Sequence, residues 1–262
     1  MKIKNVVKVM NFYSLLRVDA SKRRADKLIR NELEVREFCD NILNNKNLIL
    51  DKRTINMNPK GKELNIYIAN DMGFCGNFNS NIKSLLIQDS NNDKIVIGKK
   101  IMKSDNYENV ILSTTKEDYF LQSEKIFNFL YNSISSKKYK EVNLIYNHYY
   151  NISKIERIKK KILPLKNEVK SSDDFVVEGD INKILLNIIT LYLVYEIRVA
   201  VENSYASENI MRQMTTKESL KKIDEIEDEK RREQRVEENA KVLKEQLENI
   251  NKMKLIDDDR RL

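Results

Sequence analysis

The sequence predicts an α/β fold combined with a coiled coil: a small α/β domain inserted between long N- and C-terminal helices that pair antiparallel as a shaft. Three observations predict it. The first 58 residues contain no Gly or Pro, residues 60–165 break into short apolar runs, and from Ile181 to about Met253 Gly and Pro are again absent. With 34% charged residues, five Gly and two Pro in 262 residues, the composition suits solvent-washed helices better than a turn-rich β fold.

In the first element Val6, Val9, Met10, Tyr13, Leu16 and Ala20 recur at steps of three and four, the spacing that lines one helix face. The pattern continues loosely through Leu28 to Ile42 and predicts a helix over about 3–45, ending near Asn44-Asn45, within a coiled-coil segment 1–50. The middle segment, 51–180, has strand-length runs at Leu64–Ala69, Lys94–Ile97, Val110–Leu112 and Val142–Tyr146. Helical stretches fall at 79–88 and 116–135, and this alternation predicts a small parallel, Rossmann-like sheet with right-handed crossovers. Residues 166–180 read as a polar linker ending in Gly179-Asp180, where Asp180 can cap the next helix.

In that last helix, 181–254, some seventy residues free of Gly and Pro would extend about 105 Å at about 1.5 Å per residue, too long for a small domain to bury. Val236, Ala240, Leu243, Leu247 and Ile250 alternate four and three apart, a coiled-coil seam whose expected partner is the N-terminal helix; Glu229 and Glu233 interrupt the same register. Residues 255–262 form a charged tail. The longest apolar run, Ile184–Tyr195, is shorter than the roughly twenty residues of a membrane span and reads as buried helix.

Charge is uneven. The net +8 is concentrated early, with nine Lys or Arg in residues 1–30 against Asp19 and Asp26. Lys22, Arg23 and Arg24, with Arg17 and Lys27, make a band that suits phosphates or carboxylates, or is simply a solvated helix face. A basic coiled-coil nucleic-acid binder is one alternative, but no aromatic residues interleave with the band and no base-reading motif appears, so nucleic acid is not expected. Cys39 and Cys75 lack the spacing of a disulfide framework or zinc site and point to a reducing cytoplasm.

Residues 70–82, NDMGFCGNFNSNI, follow a predicted strand and precede a helix, where a nucleotide fold places its phosphate loop. Gly73-x-x-Gly76 matches neither a P-loop nor the three-glycine fingerprint, leaving a structural turn at Gly73, Cys75 and Gly76 as the other reading. His148, the only histidine, has no ligand cluster around it in sequence, and no nucleophile motif occurs. No catalytic, cofactor-binding or metal residue is assigned.

The stretch Asn70-Asp71-Met72-Gly73-Phe74-Cys75-Gly76-Asn77-Phe78-Asn79-Ser80-Asn81 resembles the S-D-R-G-L-C-G-G-F-N-S-N turn of the gamma subunit of F-type ATPases. Ile97-Gly98-Lys99-Lys100, Leu163-Pro164-Leu165, and Tyr205-Ala206-Ser207-Glu208-Asn209 with Arg212 are similar to further elements of that family, in the same order. The resemblance implies a non-catalytic central-stalk rotor inside a hexameric ring of alpha and beta subunits, which hold the ATP and magnesium. It also implies an epsilon-like or machine-specific stalk partner, and a place on the cytoplasmic side of a membrane touched only indirectly. Lys22, Arg23, Arg24, Arg212, Glu238, Asn239 and Glu245 become candidate partner contacts. Ungapped from Arg212, however, the family's arginine-glutamine pair falls on Glu238-Asn239, and its Ile-Thr-x-Glu-Leu keeps only Glu245. These departures suggest a specialised, ATP-hydrolysing motor not coupled to proton translocation; an ordinary proton-translocating synthase is the alternative.

Overall fold

The structure is a computed structural model describing residues 2–45, 47, 48, 50, 57–102, 107–165 and 176–259, with the backbone alone for Lys2 and residues 250–259. Most of the expected linker, residues 166–175, the side chain of Ile250 and the last residues of the tail lie outside the described residues. The element order is α1 (Lys2–Asn44), β1 (Lys62–Ile68), α2 (Ser80–Gln88), β2 (Asp93–Ile97), α3 (Lys99–Met102), β3 (Val110–Thr114), α4 (Lys116–Leu121), α5 (Ser123–Ser135), β4 (Tyr139–Asn151), β5 (Lys154–Leu163) and α6 (Ile181–Asp259). The chain divides into two compact units, Met1–Met10 with Thr216–Leu262, and Asn11–Thr215.

In the larger unit a five-stranded sheet runs β3-β2-β1-β4-β5. The first four strands are parallel, as the strand-helix alternation predicts, but β5 pairs antiparallel with β4 and was not expected. Its apolar residues Ile155, Ile158 and Ile162 are spaced three and four apart, a helical rather than a strand period. Pairing with β4 is unbroken from Ile155 to Lys161, so Ile155 and Ile158 lie on opposite faces of the sheet, and the shift near the start of β4 inserts its extra residue at Ile162.

Leu64, Ile66 and Ile68 on one face of β1 pack with Leu185, Leu186, Ile189, Leu193 and Ile197 of α6, Cys39 and Ile42 of α1, and Ile126 and Leu130 of α5. Tyr67 and Ala69, of the opposite parity, meet Ile82 and Leu86 of α2 and Ile101 of α3. The sheet is therefore covered on both sides, which explains why its central strands read as continuous apolar runs. Part of α6 has the length and hydropathy of a membrane-crossing helix, yet 61% of that window is buried inside the fold.

Within this unit α1 and α6 are antiparallel: Asn11 bonds the Gln213 carbonyl, Arg24 pairs with Glu202, and Arg36 lies over the Tyr192 ring. The packed face of α1 is not its apolar one. Ser14, Val18, Ser21 and Ala25, alternately four and three apart, are buried, whereas Tyr13, Leu16 and Ala20 are exposed. Small side chains allow close helix approach, so the larger apolar residues are left outside.

In the smaller unit Lys4 Nζ pairs with Asp224 Oδ1 and Glu227 Oε2, each at 2.6 Å. The described contact of α1 with α6 in this unit lies at Asp224 and Glu227, short of the 236–247 part of the seam. Val236, Leu243 and Leu247 are 68%, 61% and 52% exposed, and Ala240 is exposed too. The expected intrachain pairing of that seam is corrected accordingly.

Candidate functional site

At the carboxyl ends of β1, β2 and β3, within the larger unit, the 70–79 loop folds against α6. Asp71 sits where an α/β fold would receive a phosphate, and its own carboxylate fills the place. Oδ1 accepts from the Lys99 amide at 2.6 Å and Oδ2 from the Lys116 amide at 3.1 Å, the first residues of α3 and α4. One internal anion thus joins the exits of three strands, in the position where external phosphate would bind. This favours the structural-turn reading of the motif.

The turn is built from positive-φ residues. Phe74 (φ 63°) and Gly76 (φ 51°) reverse the chain around buried Cys75, whose Sγ lies 3.6 Å from the Glu208 carbonyl and 3.4 Å from that of Gly73. Burial pushes the Cys75 thiol up to about 11, so it packs as a small apolar group and not as a nucleophile. Asn70 and Asn79 bond each other across the loop, and Asn147 Nδ2 donates to the Phe78 carbonyl at 3.1 Å. Gly98 (φ 135°) sits so close to β1 that an added Cβ would lie 2.8 Å from the Ala69 backbone.

Glu208 of α6 fastens this loop to the long helix. Its carboxylate accepts from the Met72 amide at 2.7 Å and the Asp71 amide at 3.4 Å. Burial raises its pKa to about 7, against the lowering effect of the Met72 amide. Arg212, one turn further along, lies against Met72 Sδ, as does Arg17 of α1.

A second tie crosses α1, α4 and α6. Buried Glu202 receives Lys116 Nζ at 3.1 Å on Oε2 and Arg24 Nε at 3.2 Å on Oε1. Lys116 also stands 3.5 Å over the Tyr205 ring, and burial lowers its pKa while Glu202 opposes that shift. These groups line a cleft of about 380 Å³ with Asp71, Met72, Glu117 and Phe120. Arg24, Lys116 and Glu202 are already paired with one another there, an arrangement suited to holding helices together.

The predicted contact residues therefore separate. Arg24 is drawn toward Glu202, Lys22 lies 5.1 Å from the Tyr149 ring centroid, and Arg23 is exposed. Arg212 joins the loop clamp, whereas Glu238, Asn239 and Glu245 are exposed on the same stretch of α6 as Val236, Ala240, Leu243 and Leu247. His148 is half-buried between the Tyr146 and Tyr150 rings, its pKa lowered by burial and then by Lys160. The roles of Asp71, Lys116 and Glu202 were not anticipated from sequence. Acidic residues at 196, 202 and 208 in an otherwise apolar helix were the available signal.

A family model described as ATP synthase matches residues 1–250. The ATP synthase gamma chain of Clostridium novyi (strain NT) is 30% identical over 233 residues, covering 80% of this chain and 79% of that one. The chain belongs to the ATP synthase gamma-chain family. The corresponding protein of Mycoplasmopsis pulmonis (strain UAB CTIP) is 30% identical over 210 residues, with 73% and 72% covered. In fold the chain is similar to a central-stalk chain of the Tetrahymena thermophila mitochondrial ATP synthase, with a TM-score of 0.56, 20% identity, and coverage of 82% and 99%. Membership makes it a rotor-type subunit of an F-type ATPase.

Proposed function

We propose that this chain is the turning, non-catalytic shaft of an F-type-like motor on the inner face of the cell membrane, driven by ATP hydrolysis in a surrounding ring of alpha and beta subunits. The observation that carries this reading is the bare stretch of α6. A helix with Val236, Leu243 and Leu247 more than half exposed, interleaved with Glu238, Asn239 and Glu245, needs an outside partner for its apolar stripe. A ring whose bore meets that stripe supplies one, with the ATP and magnesium held in the ring and none in this chain. Arg23 and Lys22 on α1 offer a rotatable, solvent-screened attraction to acidic segments of the ring. An epsilon-like or machine-specific stalk partner would meet the α/β module, and the membrane is reached only through the complex.

The drifted ring positions Glu238-Asn239 support a specialised motor that is not coupled to proton translocation. The ordinary proton-translocating reading is favoured by a different observation, since the matched relatives are ATP synthase gamma chains. Purifying the tagged chain from its native cell separates the two. Recovery of Walker-motif alpha and beta subunits without a proteolipid ring supports the specialised motor, and recovery of a complete proton-translocating sector overturns it.

A further inference from the structure

Away from the loop, and within the larger unit, the later part of α1 passes α6 beside the edge strand β5. A cleft of about 320 Å³ opens there between Glu32 and Arg36 of α1, Tyr192 and Glu196 of α6, and Lys160 and Lys161 of β5. Buried Glu196 receives Lys160 Nζ on both oxygens, at 2.7 and 2.8 Å, and the Tyr192 hydroxyl donates to its Oε1 at 2.9 Å. Arg36 is turned to Asp40, 3.1 Å from Nε to Oδ2, and over the Tyr192 ring. Lys161 is engaged by Glu141 of β4. The remaining acid, Glu32 of α1, lines the same cleft as Glu196 of α6.

Two carboxyl groups lining one cleft, with Lys160 bonded to Glu196 alone and Arg36 turned to Asp40, do not both ionise cheaply, and a proton shared between them relieves the repulsion. From β4, Tyr146 is held protonated by burial and by Glu196, while burial and Lys160 favour the neutral His148 imidazole. Neither takes over the role of Lys160 as the cation bonded to Glu196. We propose that Glu32 and Glu196 form a proton-linked clamp between the N- and C-terminal helices, closed when the pair shares a proton and loosened when both are ionised.

Burial first, and then the charge of Glu196, raises the Glu32 pKa from its ordinary 4.5 to about 7. The folded chain therefore holds more protons than the unfolded one between those values. The clamp's contribution is fully present below about 4.5 and is lost as the pH rises through about 7. Buried Glu208, also near 7, titrates in the same direction and must be separated from it.

The test uses the full-length chain at pH 5.5 and 8.5, reading the thermal midpoint and the amide exchange of residues 28–36. For the wild type the midpoint falls at the higher pH, and exchange accelerates beyond the intrinsic base-catalysed rate. Glu32→Gln keeps a neutral donor toward Glu196 at every pH, so it loses most of the change in exchange at residues 28–36 and part of the midpoint change, the rest belonging to Glu208, and melts above the wild type at pH 8.5. A Glu32→Gln chain that retains the wild-type pH dependence overturns the clamp, as does its complete removal by Glu208→Gln alone. If Glu32→Gln does not fold, carbon-13 NMR titration of the glutamate carboxyls in Glu208→Gln decides the matter. One carboxyl still titrating near 7 supports the clamp, and none above about 5 overturns it.

Discussion

Glu208 and Asp71 meet at adjacent backbone amides, so the cost of losing each can be stated separately. Glu208→Ala leaves the Met72 and Asp71 amides without their acceptor and is expected to destabilise the chain by about 2 kcal/mol, read as a lowered denaturation midpoint. Glu202→Ala removes the acceptor of Lys116, a mostly buried cation, and is expected to cost about 3 kcal/mol. Arg24→Ala, at the half-exposed end of the same bridge, is expected to cost less than about 1 kcal/mol. Equal losses for Glu202→Ala and Arg24→Ala would mean that the bridge is solvent-screened throughout. Gly76→Ala strains one positive φ with only an ordinary contact to Thr215 Oγ1 at 3.9 Å and costs roughly 1 kcal/mol, while Gly98→Ala also drives a methyl into the Ala69 backbone and is expected to be the worse of the two.

At the scale of elements, α1, the central strands, α2 and the start of α6 were legible because period and punctuation agreed in each. Strand β5 was not, since its isoleucines follow a helical spacing that places Ile155 and Ile158 on opposite faces of the sheet. Nor was the packed face of α1 legible, because Ser14, Val18, Ser21 and Ala25 carry little hydrophobic signal beside Tyr13 and Leu16. The loop motif was visible as a motif, but its meaning depended on Asp71 and Glu208 bonding backbone amides, which no side-chain pattern records. The exposed seam yields a prediction of its own. Leu243→Asp with Leu247→Asp should leave the melting temperature of the isolated chain unchanged, since surface changes stay within about 0.5 kcal/mol, yet should abolish recovery of the ring. A large drop in melting temperature would show that the chain itself covers that stripe.

For the whole molecule, the division of labour follows from where polar groups are satisfied. Glu208 of the loop clamp and Glu202 of the bridge find their partners within the chain, which suits a part that holds torque between helices and module. The far stretch of α6 is the opposite, apolar and charged by turns with its side chains exposed, which suits a surface completed by other subunits. The central claim is that this chain turns within such a ring. It is tested most directly by fixing the purified ring to a surface, attaching a visible probe to the α/β module and supplying ATP. The account predicts unidirectional stepping of the probe that stops when ATP is withdrawn; a probe that stays still while the ring hydrolyses ATP would contradict it.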